Sequence, residues 1–209
     1  MAMHVQKRPF DFALRASLRV TDKFEELPHM KKKLVSILSD LIALPSPYPP
    51  GTSVEICAYA AKRLRKAGYK VEIAAKSKGV DNVVARRKGK MKGPVIAFNA
   101  HVDTVGVGER ANWKSDPYKA LVKGGLVHGL GAGNCKGSMA VQLWLAEEIA
   151  RRGGPAKGEL IFTFVADEEN LGPDGMARAI RTRPPSSGAE RARPRRGRRS
   201  RDDGDTTRT

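Results

Sequence analysis

Two pairs of side chains in this sequence could carry out metal-dependent chemistry. His101 and Asp103 follow an apolar run, and their spacing places both side chains on one side of an extended strand. A neutral imidazole is a good zinc ligand, and a nearby carboxylate can orient the ring. Glu168 and Glu169 follow another apolar run. Adjacent carboxylates there can divide the work between binding a metal and accepting a proton from water.

Each pair taken alone has an ordinary structural interpretation. A His-x-Asp pair is usually structural, and an Asp-Glu-Glu run is usually a solvated turn. Both pairs here stand at the ends of apolar strands, and a glycine-rich segment separates them. In open α/β sheets, binding sites gather at the ends of strands. The combination therefore favours a functional site over two coincidental structural pairs.

The glycine-rich segment GLGAGNCKGSMA, residues 129–140, has the composition of a phosphate-binding loop. A dinucleotide fingerprint that begins at Gly129 would need a glycine at position 134, where the chain has Asn134. A P-loop would need Gly-Lys followed by Ser or Thr, and the chain reads Cys-Lys-Gly. Both patterns fail, which argues against nucleotide binding and leaves the glycines as turn residues before a helix.

The elements that must position these residues can be predicted from the spacing of apolar side chains. Residues 31–44 and 136–152 have helical spacing, and residues 54–67 form another helix that Gly68 ends. Strands are predicted in KVEIAA, NVVARR, GPVIAFNAH and GELIFTFVAD, the last two as buried strands. A last helix begins in LGPDGMARAI. This succession of helices and strands predicts an α/β fold.

Composition sets the class of protein. The chain has 209 residues, 40% of them hydrophobic and 6% aromatic, which suits one good-sized domain or two small ones. Two isolated cysteines, Cys57 and Cys135, are typical of a reducing compartment. There is no run of about 18 apolar residues and no apolar secretory core near the N-terminus. We therefore expect a cytoplasmic protein without a membrane span.

The positive charge is unevenly spread along the chain. The net charge is +17, and residues 183–209 are rich in arginine, contain no lysine and lack every large apolar residue. Such a segment cannot repay the entropy of folding, so we expect a disordered Arg-rich tail. The abrupt change in composition leads to the hypothesis that the tail is an out-of-frame continuation of a GC-rich gene.

The Arg-rich tail also carries an alternative function. Residues 191–201 could neutralise the phosphates of a nucleic acid, or bind an acidic partner, without reading sequence. The segment has no aromatic side chains that could stack on bases. We therefore expect a charged tail without a chosen partner, and nucleic-acid binding is the alternative to an enzymatic function.

Residues 31–180 resemble a family of zinc-dependent metallopeptidases and deacylases that includes acetylornithine deacetylase, succinyl-diaminopimelate desuccinylase, aminoacylase and glutamate-releasing carboxypeptidases. The matching segments are LPSPYPPGTS, FNAHVDTV, W-x-x-DPY, GLGAGNCKGSMA and FVADEENLGPDG. The resemblance implies the N-terminal half of a metallopeptidase catalytic domain, with a mixed sheet flanked by helices and one or two bound zinc ions. The implied reaction is hydrolysis of an amide bond in an N-acyl amino acid or a small peptide.

The resemblance also assigns roles to individual residues. It implies that His101 is a metal ligand and that Asp103 orients it. It implies that Glu168 is the general base and that Glu169 is a ligand to the other zinc ion. Asn134 stands where the family has an aspartate whose carboxylate bridges the two zinc ions.

The chain departs from the family pattern at its metal ligands. Asn134 is uncharged and has a single carbonyl oxygen, so it could bind one metal but is a poor bridge. Cys135 beside it is an alternative soft ligand, although a lone cysteine more often serves packing. The family also needs a downstream acid, for which the tail offers Glu190 in an unlike setting. It needs a distal histidine as well, and no histidine follows Glu169.

These departures lead to an expectation about activity. The family's dimerisation domain and the second half of its catalytic domain have no counterpart in the sequence. The groups that remain, His101 with Asn134 or Glu169 alone, give at most two ligands at any one metal, whereas a catalytic zinc usually has three. We therefore expect a truncated chain that is inactive by itself. Residues 1–30 form an N-terminal extension to which the sequence assigns no role.

Overall fold

The computed structural model describes residues 26–75 and 77–176. Outside these residues lie the Arg-rich tail, most of the N-terminal extension and residues 177–180 of the predicted last helix, so the predictions made for them stay predictions. Among the residues described, no helix is both long enough and apolar enough to cross a membrane.

Three helices and six strands follow one another in this described part of the chain. The helices are α1 (Glu26–Ile42), α2 (Val54–Lys66) and α3 (Lys136–Arg151). The strands are β1 (Lys70–Ala75), β2 (Asp81–Lys88), β3 (Met91–His101), β4 (Leu121–Lys123), β5 (Leu126–His128) and β6 (Lys157–Val165), and Arg110–Asn112 form a 3-10 turn. The predicted α/β fold is confirmed, whereas the short β4–β5 hairpin was not predicted.

Four strands form one mixed sheet in the order β1-β2-β6-β3. The prediction of a buried strand in GPVIAFNAH is wrong, because β3 stands at the edge of the sheet and Val95 and Ile96 are 44% and 48% exposed. β2 pairs antiparallel with β1 and with β6, whereas β3 and β6 run parallel. In the parallel pair, His101 at the end of β3 lies opposite Val165 at the end of β6. The carboxyl ends of these two strands therefore meet at the same edge of the sheet, and the polar segments that follow them start side by side.

Proline and glycine end the first two helices as the sequence predicts. Pro45 and Pro47 follow α1, and a proline cannot continue a helix because it lacks the backbone donor. Gly68 follows α2 with a φ of 77°, and its amide donates to the carbonyl of Arg65 at 2.9 Å. Glycine suits this left-handed position because it has no Cβ. α1 begins earlier than predicted, at Glu26, and so extends into the N-terminal extension.

The main core lies between the three helices and one face of the sheet. Its helical members include Leu41, Leu64 and Leu143, all without exposed surface. Phe162 of β6 is also fully buried. Its ring stacks on Phe98 with 5.0 Å between centroids and meets Tyr69 edge-on at 5.6 Å. A smaller cluster is buried on the opposite face, as the alternation of strand side chains requires, and consists of Val84, Ile161 and Val165.

Replacement of the central aromatic ring tests this packing. Phe162→Ala should lower the free energy of unfolding by about 3–5 kcal/mol, because it removes both ring contacts and leaves a cavity. Urea unfolding followed by circular dichroism measures the change. Val141→Ala, at a 50% exposed position of α3, is the control and should change the free energy of unfolding by less than about 0.5 kcal/mol. A loss below about 1 kcal/mol for Phe162→Ala would contradict the packing described.

A buried lysine opens α3. Lys136 has no exposed surface, and its Nζ donates to the carbonyl of Leu44 at 2.8 Å, which ties the start of α3 to the segment after α1. Removal of an ammonium group from water disfavours its charged form. Burial therefore lowers the pKa of Lys136 from 10.5 to about 8.

The lowered pKa makes the stability of the domain depend on pH. Between about pH 8 and 10.5 the unfolded chain holds a proton on Lys136 that the folded chain has released. Stability should therefore rise with pH across this window and fall as the pH is lowered through it. Urea unfolding at a series of pH values should show this part of the slope lost in Lys136→Met and kept in Lys123→Met, at an exposed lysine. Equal slopes in Lys136→Met and the parent chain would contradict the lowered pKa.

Candidate metal centre

The segments that follow β3 and β6 carry the candidate site. β3 ends at His101, and Asp103 lies just beyond it, fully buried. The segment after β6 brings Glu168 and Glu169 back toward the end of β3. The two segments are joined by a hydrogen bond in which the backbone N–H of Glu169 donates to Oδ2 of Asp103 at 2.9 Å. The parallel strands therefore bring together the two residue pairs that the sequence singled out.

The imidazole of His101 has acceptors at both nitrogens. Nδ1 donates to the backbone carbonyl of Asp103 at 3.0 Å and lies 3.6 Å from its carboxylate oxygen Oδ1. Nε2 lies 2.9 Å from Oδ1 of Asn134 and 3.7 Å from Oε2 of Glu168. Hydrogen bonding to Asp103, with contributions from Cys135 and Asn134, raises the pKa of His101 to about 11 against the opposing effect of burial. The surroundings therefore favour positive charge at this point.

Asp103 stands beside the ring with one oxygen unsatisfied. Its Oδ2 accepts the N–H of Glu169, whereas Oδ1 has no hydrogen-bond partner within residues 26–75 and 77–176. A buried acceptor without a partner is costly. The Nδ1–H of His101, 3.6 Å away, could reach this oxygen after a small turn of the ring. The structure thus places Asp103 where an orienting residue belongs, and the orienting role stays a prediction.

Asn134 lies between the histidine and the acidic pair. Its Oδ1 accepts from Nε2 of His101 at 2.9 Å, and its Nδ2 donates to Oε1 of Glu169 at 2.9 Å. The buried thiol of Cys135 donates to the carbonyl of Asp103 at 3.1 Å, the same carbonyl that Nδ1 of His101 meets, and Cys135 does not belong to the cluster of ligand atoms found among the described residues. Asn134 therefore links the two halves of the site. The alternative of Cys135 as a soft metal ligand gains no support from this geometry.

Three of the predicted site residues bring ligand atoms together. One donor atom each from His101, Glu168 and Glu169 lie within 4.8 Å of one another, and Glu168 is exposed. Donors at this separation can close on a single divalent ion with small side-chain rotations, and the solvent side stays open for water or substrate. One imidazole and two carboxylates suit zinc. The sequence reasoning assigned His101 and Glu169 to different metal ions, whereas the structure brings ligand atoms of both within reach of one ion, with Glu168 beside them.

The glycine-rich segment delivers Asn134 and leads into α3. Gly131 has a φ of 79°, which a residue with a side chain rarely adopts. A Cβ at Gly131 would lie 2.8 Å from Cγ2 of Thr104 and 3.1 Å from Cδ of Lys136, closer than side chains tolerate. The predicted turn role of the glycines is therefore confirmed at Gly131, and it lets the loop pack tightly beside the metal-ligand candidates.

Two buried polar residues near the site were missed by the sequence reasoning. Asn82 begins the inner part of β2, and Asp174 follows the acidic pair. The side chain of Asn82 donates to the backbone carbonyl of Asp174 at 2.8 Å. In the sequence, Asn82 is visible only as a polar residue near the start of an apolar strand, and this pattern does not identify Asp174 as its partner.

Residues 97–197 match the model of Peptidase family M20/M25/M40. The chain is similar to the succinyl-diaminopimelate desuccinylase of Bordetella avium, with 34% identity over 142 residues that cover 68% of this chain and 36% of that protein. It is also similar to the succinyl-diaminopimelate desuccinylase of Acinetobacter baylyi, with 34% identity over 122 residues that cover 58% of this chain and 32% of that protein. The chain thus spans about a third of the length of these curated relatives.

Solved structures share the fold. Human carnosine dipeptidase 1 has a TM-score of 0.66 at 17% identity, over 76% of this chain and 37% of that protein. An M20 family metallo-carboxypeptidase from Sulfolobus solfataricus has a TM-score of 0.62 at 20% identity, over 72% of this chain and 34% of that protein. The predicted mixed sheet flanked by helices is confirmed. Over residues 97–197 the chain is therefore similar to peptidase family M20/M25/M40, which agrees with the resemblance that its motifs carry.

Proposed function

We propose that this chain forms a zinc site that takes part in the hydrolysis of amide bonds in N-acyl amino acids or small peptides. The observation that carries the proposal is the convergence of donor atoms from His101, Glu168 and Glu169 within 4.8 Å at the ends of β3 and β6. The similar proteins are named as a desuccinylase, a dipeptidase and a metallo-carboxypeptidase, names that describe removal of an acyl group or an amino acid.

The side chains of the cluster divide into ligands and a base. A bound zinc ion supplies a Lewis acid that polarises a carbonyl group and acidifies water. His101 offers Nε2 once that nitrogen has lost its proton, while the carbonyl of Asp103 keeps the other proton on Nδ1. Glu169 is oriented from two directions, by Nδ2 of Asn134 at its carboxylate and by Asp103 at its backbone. These contacts preorganise one imidazole and one carboxylate.

We assign the role of general base to Glu168. Its carboxylate is 53% exposed and its Oε2 lies 3.7 Å from Nε2 of His101, so it faces the same point as the ligands. A carboxylate in this position can accept a proton from an attacking water molecule and then pass it to the leaving amine. Its exposure keeps a path open for water and substrate.

Asn134 limits the proposed site to one ion. An amide has one carbonyl oxygen and carries no charge to offset two dications. In the structure this oxygen accepts from His101, and the amide nitrogen donates to Glu169. Asn134 therefore orients the carboxylate of Glu169 and adds one amide oxygen beside Nε2 of His101, and this single oxygen does not bridge two ions. The expected stoichiometry is one zinc ion per chain.

Titration with zinc chloride tests the metal site. The chain should bind one zinc ion, and His101→Ala should weaken binding by about 100-fold or more, because it removes the imidazole from the cluster. His128→Ala, at an exposed histidine of β5, is the matched control and should bind zinc as the parent chain does. Equal zinc affinities in the two histidine variants would refute the proposed site.

Replacement of each of the two adjacent glutamates distinguishes the proposed base, Glu168, from the proposed ligand, Glu169. Glu168→Gln should keep the zinc affinity within about threefold and lower hydrolysis of a panel of N-acyl amino acids by about 100-fold or more. Glu169→Gln should lose zinc affinity. Zinc content and turnover are measured on the same samples. The sequence leads us to expect that the parent chain is inactive by itself, and in that case the two variants are compared by their zinc content. Zinc loss in Glu168→Gln with retention in Glu169→Gln would reverse the assignment.

Asn134→Asp tests the central amide. The new carboxylate adds a negative charge and a second ligand oxygen beside the ion, so zinc binding should tighten by about 10-fold. Asn134→Leu keeps a similar volume without polar atoms and should weaken binding, because the carboxylate of Glu169 loses its amide donor and the site loses the amide oxygen beside Nε2 of His101. Calorimetric titration measures both variants. An affinity in Asn134→Asp no higher than in Asn134→Leu would contradict the place assigned to this side chain.

A further inference from the structure

A buried asparagine that belongs to neither residue pair lies beside the site. Asn82 in β2 has no exposed surface, and its amide makes three hydrogen bonds. Its Nδ2 donates to the carbonyl of Ala74 at 3.0 Å and to that of Asp174 at 2.8 Å, and its Oδ1 accepts from the backbone N–H of Ala166 at 3.0 Å. Both amide hydrogens are thus used, as burial of a polar group demands.

Where the backbone ladder between β2 and β6 ends, the side chain of Asn82 supplies the next hydrogen bond. The last backbone pair of that ladder joins Val83 to Phe164. Asn82 comes one residue before Val83 in β2. Its side chain accepts from the backbone N–H of Ala166, the first residue after the end of β6. The direction in which the chain leaves β6 is therefore set by a side chain, and not by a strand partner.

The segment after β6, residues 166–175, closes on Asp167. This residue has a φ of 64°, and its carboxylate accepts from the side chain of Asn170 at 3.3 Å and from the backbone N–H of Asp174 at 3.0 Å. The carbonyl of Asp167 accepts from the N–H of Gly172 at 2.9 Å. The segment is therefore a closed loop, which we call the acidic loop.

The acidic loop is held at both ends by one side chain. Ala166 is its first residue and Asp174 is next to its last, and both bond to the amide of Asn82. Glu168 and Glu169 lie between these two anchors. Loss of either anchor would therefore loosen the loop that carries both carboxylates, leaving Glu169 tied to the end of β3 by its bond to Asp103 and Asp174 tied to the hydroxyl of Ser77.

We propose that Asn82 is a positioning residue for the metal site. It holds both ends of the acidic loop and so places Glu168 and Glu169 at the separation from His101 that one ion requires. Asn82 acts through the loop and is not itself a ligand. This inference rests on the proposed zinc site, and it adds a residue from β2 that the family motifs in this sequence do not include.

Zinc titration of two variants tests this inference. Asn82→Leu keeps a similar volume and removes all three hydrogen bonds, and it should weaken zinc binding by about 10- to 100-fold, as loss of a supporting partner does at metal sites. Asn82→Asp keeps an acceptor for Ala166 and removes both donors, so it should change the affinity in the same direction and decides the matter if Asn82→Leu does not fold.

Leu64→Ala is the control for loss of stability. Leu64 is fully buried in α2, outside the acidic loop and β2, so its replacement should destabilise the domain and leave the zinc affinity within about threefold. A merely structural role for Asn82 would make its variants behave like Leu64→Ala. Equal zinc affinities in the Asn82 variants and in Leu64→Ala would therefore overturn the inference.

Amide hydrogen exchange gives a readout that needs no metal. In the zinc-free chain, residues 166–175 should exchange at least about 10-fold faster in the Asn82 variants than in Leu64→Ala, because local opening of the loop has become easier. Unchanged exchange in these residues would overturn the role of Asn82 by itself. A parent chain that binds no zinc would refute the proposed function instead, so the two failures are distinguishable.

Discussion

The parallel pairing of β3 with β6 is the constraint on which the rest of the site depends. It sets His101 opposite Val165, so the polar segments that follow two strands distant in the sequence begin side by side at one edge of the sheet. The core supports this pairing, because Phe162 of β6 stacks on Phe98 of β3. A histidine after one strand and glutamates after the other can meet only if this register holds. The packing that stabilises the domain and the geometry of the site are therefore set by the same pair of strands.

Hydrogen bonds convert this proximity into a defined arrangement. Asp103 is central, since its carboxylate accepts from the backbone of Glu169 and its carbonyl accepts from the ring of His101 and the thiol of Cys135. Asn134 links His101 to Glu169, since its amide oxygen meets the ring and its amide nitrogen donates to the carboxylate. The raised pKa of His101 shows how strongly these acceptors favour a cation. A metal ion bound at Nε2 would stand in place of the proton on that nitrogen and would bring its own positive charge to the same point.

The spacing and runs of apolar residues predict the three helices and the four strands of the main sheet, although β1 and β3 are largely exposed in the structure. The same pattern also locates His101 and the glutamates Glu168 and Glu169, which follow apolar strands, although β3 proves to be an exposed edge strand and only β6 is buried. It cannot say which strands are neighbours, so the meeting of all three donors at one point emerges only with the β6–β3 pairing. The partners of Asn82 are hidden for a related reason, since a single buried amide has no period and one of its bonds spans 92 positions of the chain.

X-ray absorption at the zinc edge of the zinc-loaded chain tests the shared site most directly. The account predicts a first shell of nitrogen and oxygen atoms at about 2.0–2.2 Å, with the imidazole contribution lost in His101→Ala. A sulfur shell at about 2.3 Å would place the ion on Cys135 or Cys57 and would contradict the assignment of His101, Glu168 and Glu169 as the residues around one zinc ion.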